Sequence, residues 1–148
     1  MPYIRKIYIV VSNDEQIPIW LNQDKVNVVL HKDIMPSGYL PCFNSVTIEF
    51  FLYNIPDLAE QFVYANDDMF CINYIDPSLL FDSGKACIRM LSCEIDKIGN
   101  SDNWLKTLKR SNDMVFKKFG RPANLSNNRI LVHEHGPIAL LRSQLNDV

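Results

Sequence analysis

Short apolar runs rich in β-branched residues, each ending in turn-forming polar residues, constrain the fold of this chain more than any other feature. The three clearest runs are residues 5–11, 26–30 and 62–65. From Ile7 onward the first run is apolar almost throughout, which is typical of a strand buried on both faces of a parallel sheet. Helical patterns lie between the runs, and this alternation predicts an α/β fold.

Apolar residues at three- and four-residue spacing predict helices at residues 45–54, at about 101–119 and at 138–146. The expected core residues of the first helix are Ile48, Phe51, Leu52 and Ile55. Those of the second, which should end at Gly120, are Leu105, Leu108, Val115, Phe116 and Phe119. With a further strand at residues 130–132, the predicted architecture is a Rossmann-like, mainly parallel sheet flanked by helices. Because the chain begins almost inside its first strand, we expect this sheet to be incomplete.

Length and composition place the chain among soluble globular proteins. Its 148 residues are enough for about one domain, and the 47% hydrophobic and 22% charged residues are ordinary for that class. A net charge of −2 argues against a nucleic-acid partner. No apolar run approaches the ~18–20 residues of a membrane span, and no signal segment is recognised. The predicted location is the cytoplasm, at most at a membrane surface.

Charge and cysteine placement add two expectations. Residues 44–84 carry seven acidic and no basic side chains, whereas residues 97–129 carry eight basic and two acidic ones. These segments are either two solvated faces or the two walls of a cleft, one binding a cation and the other phosphate. The four cysteines form no CxxC pair, so we expect no structural zinc site and mostly buried, free thiols.

Acidic candidates for a site follow the third run and lie inside the first helix. Asp67 and Asp68 stand at the carboxyl end of a strand, where α/β sheets bind ligands. They are either turn residues or ligands of Mg²⁺ or Mn²⁺ shared with substrate phosphates. Adjacent side chains of an extended chain face opposite ways, so both reach one ion only where the chain bends. Glu49, in an otherwise apolar helix, should be exposed, paired or functional, because an unpaired buried carboxylate is costly.

Four polar residues are further candidates. His133 and His135 project to one face if the chain is extended, and His135 stands beside a Gly-Pro turn. Such a histidine is either a hydrogen-bonded loop residue or a general base near neutral pH. Asn44 and Ser45 precede the first helix, where backbone N–H groups favour an anion. They either hold a phosphate or only cap the helix.

Long motifs in a fixed order resemble the second conserved region of the stealth proteins. They are residues 5–11, Pro18-Ile-Trp-Leu-Asn22, His31-Lys-Asp-Ile-Met-Pro36, Leu40-Pro-Cys-Phe-Asn-Ser45, Ile48-Glu49, Ile55-Pro-Asp-Leu58 and Phe62-Val-Tyr-Ala-Asn-Asp-Asp-Met-Phe70. Residues 112–142, with Lys117-Lys-Phe-Gly120 and His135-Gly-Pro137, look like the third conserved region. The family includes bacterial capsular polysaccharide phosphotransferases and the animal N-acetylglucosamine-1-phosphotransferase. The resemblance implies one domain over 1–148, with a region-2-like part at 1–95 and a region-3-like part at 96–148.

The resemblance implies transfer of a sugar-1-phosphate from a nucleotide sugar to a glycan hydroxyl, which forms phosphodiester links in capsular polysaccharide and exopolysaccharide. A divalent cation, Mg²⁺ or Mn²⁺, is expected, with Asp67 and Asp68 as ligands. The family's functional acids fall on Glu49 and Asp68, 19 residues apart, and its functional histidine falls on His135, the candidate general base. The implied substrate-binding residues are Asn44, Ser45, Asn66 and Arg129.

The first and fourth conserved regions of the family have no counterpart in this sequence. One alternative is therefore an inactive, truncated remnant, or a subunit whose fold a second chain or an oligomer completes. Another is a metal-dependent glycosyltransferase that uses Asp67-Asp68 as its acidic motif, and a third is a plain interaction module. Phosphorus in the product linkage would separate the phosphotransferase from the glycosyltransferase.

Overall fold

A computed structural model of the chain describes residues 2–69, 71–95, 103–134 and 136–146. These residues belong to two compact units, which we describe separately. Unit 1 comprises Met1–Cys87 and Pro137–Val148, and unit 2 comprises Ile88–Gly136. Within the described part of the chain, no helix combines the length and the hydropathy that crossing a bilayer requires.

Eight strands and four α-helices occur in the described residues. The strands are β1 (Tyr8–Val11), β2 (Asn27–Leu30), β3 (Gln61–Tyr64), β4 (Phe81–Asp82), β5 (Lys85–Ala86), β6 (Met90–Glu94), β7 (Arg129–His133) and β8 (Ile138–Leu141). The helices are α1 (His31–Ile34), α2 (Ser45–Phe50), α3 (Asn103–Phe119) and α4 (Arg142–Asn146). Single 3-10 turns occupy Asp14–Gln16, Ser37–Tyr39, Leu52–Asn54 and Pro77–Leu79.

The described strands form four two-stranded sheets. Strands β1 and β2 are parallel, with Tyr8 opposite Asn27 and Val11 opposite Leu30. The pairs β3–β8, β4–β5 and β6–β7 are antiparallel. The α/β class is therefore confirmed, but the Rossmann-like, mainly parallel sheet is not what these strands form. An apolar run predicts a strand without specifying its partner or direction, and β3 takes its partner from the far end of the chain. The incompleteness of the sheet stays a prediction.

The predicted closing helix at residues 138–146 is wrong in its first half. Ile138–Leu141 is strand β8, and only Arg142–Asn146 is helical. Pairing with β3 supplies hydrogen bonds to this stretch and buries Ala139 and Leu141. Beyond the strand, the Arg142 guanidinium donates to the carbonyl oxygens of Tyr53 and Leu58, at 2.9 and 3.2 Å. Tertiary pairing has thus overridden a helical pattern.

The apolar core of unit 1 lies between the β1–β2 pair, α1 and the segment that follows α2. Its buried members are Val29, Ile34, Met35, Cys42, Leu52, Ile55 and Leu58. Ile48 and Phe51 pack against this cluster, so the apolar stripe predicted at residues 48–55 is confirmed. Each such side chain removed from water contributes about 1.5–3 kcal/mol. Of the four free cysteines only Cys42 is buried, so the thiols are not mostly buried as predicted.

Helix α3 of unit 2 buries a polar residue where an apolar face was expected. Val115 and Phe119 are 48% and 73% exposed, and the buried residue is Asn112. The Asn112 amide donates to the Leu131 carbonyl at 2.8 Å and accepts from the Leu131 N–H at 2.7 Å. The predicted core face is therefore wrong at two positions. The side chain of Leu105 and the predicted capping residues 101–102 lie outside what the structure describes. Gly120 ends the helix as predicted, at φ +83°.

Asn44 caps helix α2. Its side-chain Oδ1 accepts a hydrogen bond from the backbone N–H of Thr47 at 3.0 Å, and its own φ and ψ are extended. An amide or carboxylate oxygen at this position satisfies a backbone donor that otherwise has no partner in the helix. The capping residue is thus Asn44 rather than Ser45, the first residue of the helix.

His31 is buried at the junction of β2 and α1. Its Nδ1 atom has no hydrogen-bond partner among the described residues. Because burial penalises the charged imidazolium, the pKa of His31 is lowered from its ordinary 6.5. The neutral ring is therefore the form that the folded chain retains.

We expect the stability of unit 1 to fall on acidification through His31. In the unfolded chain His31 binds a proton near pH 6.5, whereas in the folded chain it does so only at lower pH. The contribution of His31 to the free energy of unfolding is therefore fully present above pH 6.5 and is lost as the pH falls through the lowered pKa. Urea denaturation at pH 7.5 and 5.5 should show a smaller difference for His31→Gln than for the wild type. His133→Gln changes an exposed histidine and should keep the wild-type difference; equal differences in all three proteins would contradict the assignment.

We expect Asn44→Ala to destabilise the chain by about 1 kcal/mol, because the substitution leaves the Thr47 N–H without its capping acceptor. Asn44→Asp retains an acceptor oxygen and should stay near the wild-type value. Ser45→Ala is the matched control and should change stability by less than about 0.5 kcal/mol. Equal losses for Asn44→Ala and Ser45→Ala in urea denaturation would refute the capping role.

Candidate functional site

Glu49 lies half-buried on the second turn of α2. The Glu49 carboxylate lies near enough to Tyr64 to contribute to the raised pKa of that phenol. The structure therefore does not leave Glu49 as an isolated, fully exposed side chain. Helix α2 places Glu49 on this side while Ile48 packs on the core, since adjacent residues on a helix project about 100° apart.

Tyr64 is the last residue of β3, opposite Ile138 of β8. Its ring packs on the core of unit 1, and its hydroxyl donates to Asn66 Oδ1 at 2.5 Å. Burial raises the pKa of Tyr64 to about 12, with further contributions from the charge and hydrogen bond of Glu49 and from the charge of Asp67. The phenol is therefore neutral and protonated at physiological pH.

A turn at residues 66–69 follows β3 and carries both acidic candidates. The Met69 N–H donates to the Asn66 carbonyl oxygen at 3.2 Å, so the chain bends where Asp67 and Asp68 stand. Both carboxylates belong to exposed residues. The turn thus provides the bend that binding of one ion by both residues requires, and the ligand role itself stays a prediction.

The donor set at this turn suits a shared cation better than a closed protein cage. Within residues 2–69, 71–95, 103–134 and 136–146, no three side chains of the His, Cys, Asp and Glu types are grouped to hold a metal ion. Mg²⁺ is commonly bound by one or two carboxylates together with substrate phosphates and water. Asp67 and Asp68 fit that mode of binding.

The predicted substrate-binding residues have different surroundings. Asn44 uses its amide oxygen as the cap of α2, and Ser45 is exposed beside it. Asn66 accepts the Tyr64 hydroxyl and so belongs to the same cluster as Glu49. Contact of these three residues with a phosphate or a sugar stays a prediction.

Arg129 belongs to unit 2, where it links β7 to β6. The guanidinium donates from Nε to Ser92 Oγ at 3.1 Å, from Nη2 to the Ser92 carbonyl at 2.6 Å and from Nη1 to Glu94 Oε1 at 3.2 Å. All three nitrogens thus have partners on the neighbouring strand. These bonds give Arg129 a structural role in the β6–β7 pair, and its binding of phosphate stays a prediction.

His135 lies outside the residues that the structure describes. His133 is exposed at the end of β7, with Nδ1 3.2 Å from the Glu134 carbonyl oxygen. The role of His135 as the general base therefore stays a prediction.

Three elements of unit 1 bring together Glu49, Tyr64, Asn66 and Asp67. The cluster combines two carboxylates, a protonated phenol and an amide. Carboxylates can accept a proton from a hydroxyl group or attract a cation, but they repel phosphate unless positive charge is brought in. Sequence reasoning missed Tyr64, although its i, i+2 relation to Asn66 along a strand end gave a usable signal.

Comparison with known proteins finds similarity in the part of the chain that contains this cluster. The family description "Stealth protein CR2, conserved region 2" matches residues 1–88. Over 144 residues the chain is 35% identical to the capsular polysaccharide phosphotransferase fcs1 of Haemophilus influenzae, a match covering 93% of this chain and 38% of that protein. It is 49% identical over 82 residues to the exopolysaccharide phosphotransferase cps2G of Lactiplantibacillus plantarum, covering 54% and 24%.

A third relative is the capsular polysaccharide phosphotransferase LcbA of Aeromonas hydrophila, 52% identical over 71 residues, which cover 47% of this chain and 19% of that protein. The chain spans well under half the length of these relatives. Glu49, Tyr64, Asn66 and Asp67 all lie inside the matched conserved region. The chain belongs to the stealth protein family.

Proposed function

We propose that this chain carries part of the catalytic site of a polysaccharide phosphotransferase, one that transfers a sugar-1-phosphate from a nucleotide sugar to a glycan hydroxyl. The observation that supports this most is the turn at residues 66–69, which carries two exposed carboxylates at the end of β3. These carboxylates are suited to a cation, and Glu49 is a candidate proton acceptor close enough to influence the neighbouring Tyr64. The names of the relatives support the phosphotransferase class.

In the proposed reaction the acceptor hydroxyl oxygen attacks the β-phosphorus of the donor. The bond from that phosphorus to the bridging oxygen breaks, and a nucleoside monophosphate leaves with the bonding electrons. The hydroxyl proton passes to a general base, for which His135 is the candidate, and Glu49 orients the acceptor or shares the base role. Because phosphoryl transfer depends mainly on positioning and on charge stabilisation, small displacements of Glu49 should matter.

Asp67 and Asp68 are the residues proposed to hold a divalent cation. A bound Mg²⁺ or Mn²⁺ would supply positive charge to the phosphate oxygens of the donor. Positive charge from outside this segment is needed because residues 44–84 contain no lysine or arginine. Arg129 and the helix start at Asn44 and Ser45 are the proposed contacts of this chain with phosphate.

We expect Glu49→Gln, Asp68→Asn and His135→Ala each to lower turnover by about 10²-fold or more, the usual scale for losing a general acid or base. The assay measures nucleoside monophosphate released from UDP-, GDP- and CDP-linked sugars in the presence of an oligosaccharide acceptor. Asp24→Asn, at an exposed loop position, is the matched control and should keep the wild-type rate.

Equal rates in the wild type and all three variants would refute these residue assignments. Release of a nucleoside diphosphate, with no phosphorus in the product linkage, would identify a glycosyltransferase instead. A wild-type chain that turns over no donor alone but does so when mixed with a second chain would identify a subunit.

We expect Mn²⁺ to bind at the turn of residues 66–69. In titrations of the wild-type chain followed by electron paramagnetic resonance, the signal of free Mn²⁺ should decrease on binding. Asp67→Asn and Asp68→Asn should each weaken the affinity by at least about tenfold, a scale on which even partners of metal ligands act. Affinities equal to that of Asp24→Asn would show that the cation binds elsewhere or not at all.

A further inference from the structure

Helix α3 carries a row of basic residues on the face that points away from the β6–β7 pair. Asn112 marks the inner face, because it is buried and its amide bonds to the Leu131 backbone of β7. Successive helical residues differ by about 100° in direction, so Lys106, Arg110 and Lys117 project about 120–160° away from Asn112. These three exposed residues therefore form one row on the outer face of α3, which we call the basic row.

The charges of the basic row are not neutralised within the part of the chain that the structure describes. There, no ion pair involves any of its three side chains. The neighbouring Lys118 lies over the Phe119 ring, with Nζ 5.2 Å from the ring centroid. Asp113 is the one acidic residue of α3, against five basic ones. The outer face of the helix is therefore strongly positive.

The spacing of the basic row suits an extended ligand. Lys106 and Lys117 are eleven residues apart, about 16 Å along a helix that rises 1.5 Å per residue. A small anion meets one of these side chains at a time, whereas a chain of linked anions can meet all three. The row therefore favours a polymer that carries negative charges at intervals.

The surroundings of the basic row favour a hydrophilic ligand over a lipid bilayer. A helix that lies in a membrane surface buries an apolar face at the boundary of the acyl chains. Among the described residues of the outer face of α3, Met114 is the apolar side chain, and it is 73% exposed. Val115 and Phe119 project toward the inner face with Asn112. The outer face thus offers charge to a ligand but little apolar surface.

The reaction proposed above makes a ligand of this kind. Each transfer leaves a phosphodiester between two sugars, and a phosphodiester keeps one negative charge at neutral pH. A glycan that has been extended several times is therefore a hydrophilic chain with negative charges at regular intervals. We propose that the basic row of α3 binds the phosphodiesters of the acceptor glycan. This inference rests on the proposed function, and it concerns phosphates other than those of the nucleotide sugar.

A binding experiment without turnover tests the basic row. The probe is fluorescein-labelled poly(glycerol phosphate), a hydrophilic polymer linked by phosphodiesters, and labelled dextran is the uncharged control. Fluorescence anisotropy should show binding of the wild-type chain to the first polymer and not to the second. Raising the salt to about 0.2 M should weaken this binding, because salt screens exposed charges.

Two triple variants locate the binding. In the basic-row variant, Lys106, Arg110 and Lys117 are each replaced by Gln, which retains a good helix propensity. Its affinity for poly(glycerol phosphate) should fall by about tenfold, the scale of losing three exposed ionic contacts. The matched control replaces the exposed Lys25, Lys32 and Lys85 of unit 1 by Gln, which removes the same charge, and should keep the wild-type affinity. Thermal denaturation should show that both variants are folded.

Kinetics test whether the basic row serves the acceptor. One acceptor is an oligosaccharide without phosphodiesters, and the other is the same oligosaccharide after several rounds of extension by the wild-type chain. The basic-row variant should raise KM for the extended acceptor by about tenfold. Its kcat, its KM for the unextended acceptor and its KM for the nucleotide sugar should stay at the wild-type values, because the row lies outside the residues proposed to carry the reaction.

The outcomes separate this inference from the proposed function. Wild-type affinity in the basic-row variant, or an equal loss in the control variant, would overturn binding at α3 and leave the proposed function intact. An equal rise in KM for both acceptors would overturn the acceptor role. If the basic-row variant lost binding to phosphatidylglycerol vesicles but kept its affinity for poly(glycerol phosphate), the face would be a membrane surface instead. A chain that binds the polymer through α3 but releases no nucleoside monophosphate from any donor would overturn the proposed function and the acceptor role, while the polyanion-binding face would stand.

Discussion

The antiparallel pairing of β3 with β8 is the contact on which the candidate site depends. It fixes the backbone of Tyr64 opposite Ile138 and buries Ala139 and Leu141. Two hydrogen bonds to Glu60 extend the pairing. The Glu60 carbonyl oxygen accepts from the Arg142 N–H at 2.9 Å, and the Glu60 carboxylate accepts from the Ser143 hydroxyl. Without this partner strand, β3 would have neither its backbone hydrogen bonds nor a fixed direction for the turn that carries Asp67 and Asp68.

The electrostatics of the site follow from how the acidic residues are distributed. Residues 44–84 are acidic without a compensating lysine or arginine, and all four members of the cluster come from this segment. Asp67 is exposed to water, which screens its charge, and Glu49 is half-buried near a neutral phenol rather than a second buried charge. Phosphate is repelled by these carboxylates unless positive charge is added, which is why the proposal includes a divalent cation.

Local chemistry made much of unit 1 predictable. The apolar runs became β1, β2 and β3 within a few residues of the predicted ends, and Leu52 and Ile55 are buried as their spacing required. The errors share one physical cause. Residues 138–141 are apolar enough for either a helix or a strand, and only the open edge of β3 decides for a strand. In α3, burial of Asn112 depends on the backbone groups of Leu131, which a helical pattern does not contain.

The sequence alone identified the candidate site residues, because the order of motifs from residue 5 to residue 70 and the spacing of Glu49 and Asp68 are properties of the chain. It also determined the cap of α2 to within one residue and the turn after β3, since both depend on neighbouring side chains and backbone groups. Tertiary packing settled that β3 pairs antiparallel with β8, that Arg129 joins two strands and that the Tyr64 hydroxyl donates to Asn66. Each of these contacts joins residues distant in the chain or in different elements, and hydrogen bonds of that kind form only when packing brings their partners together.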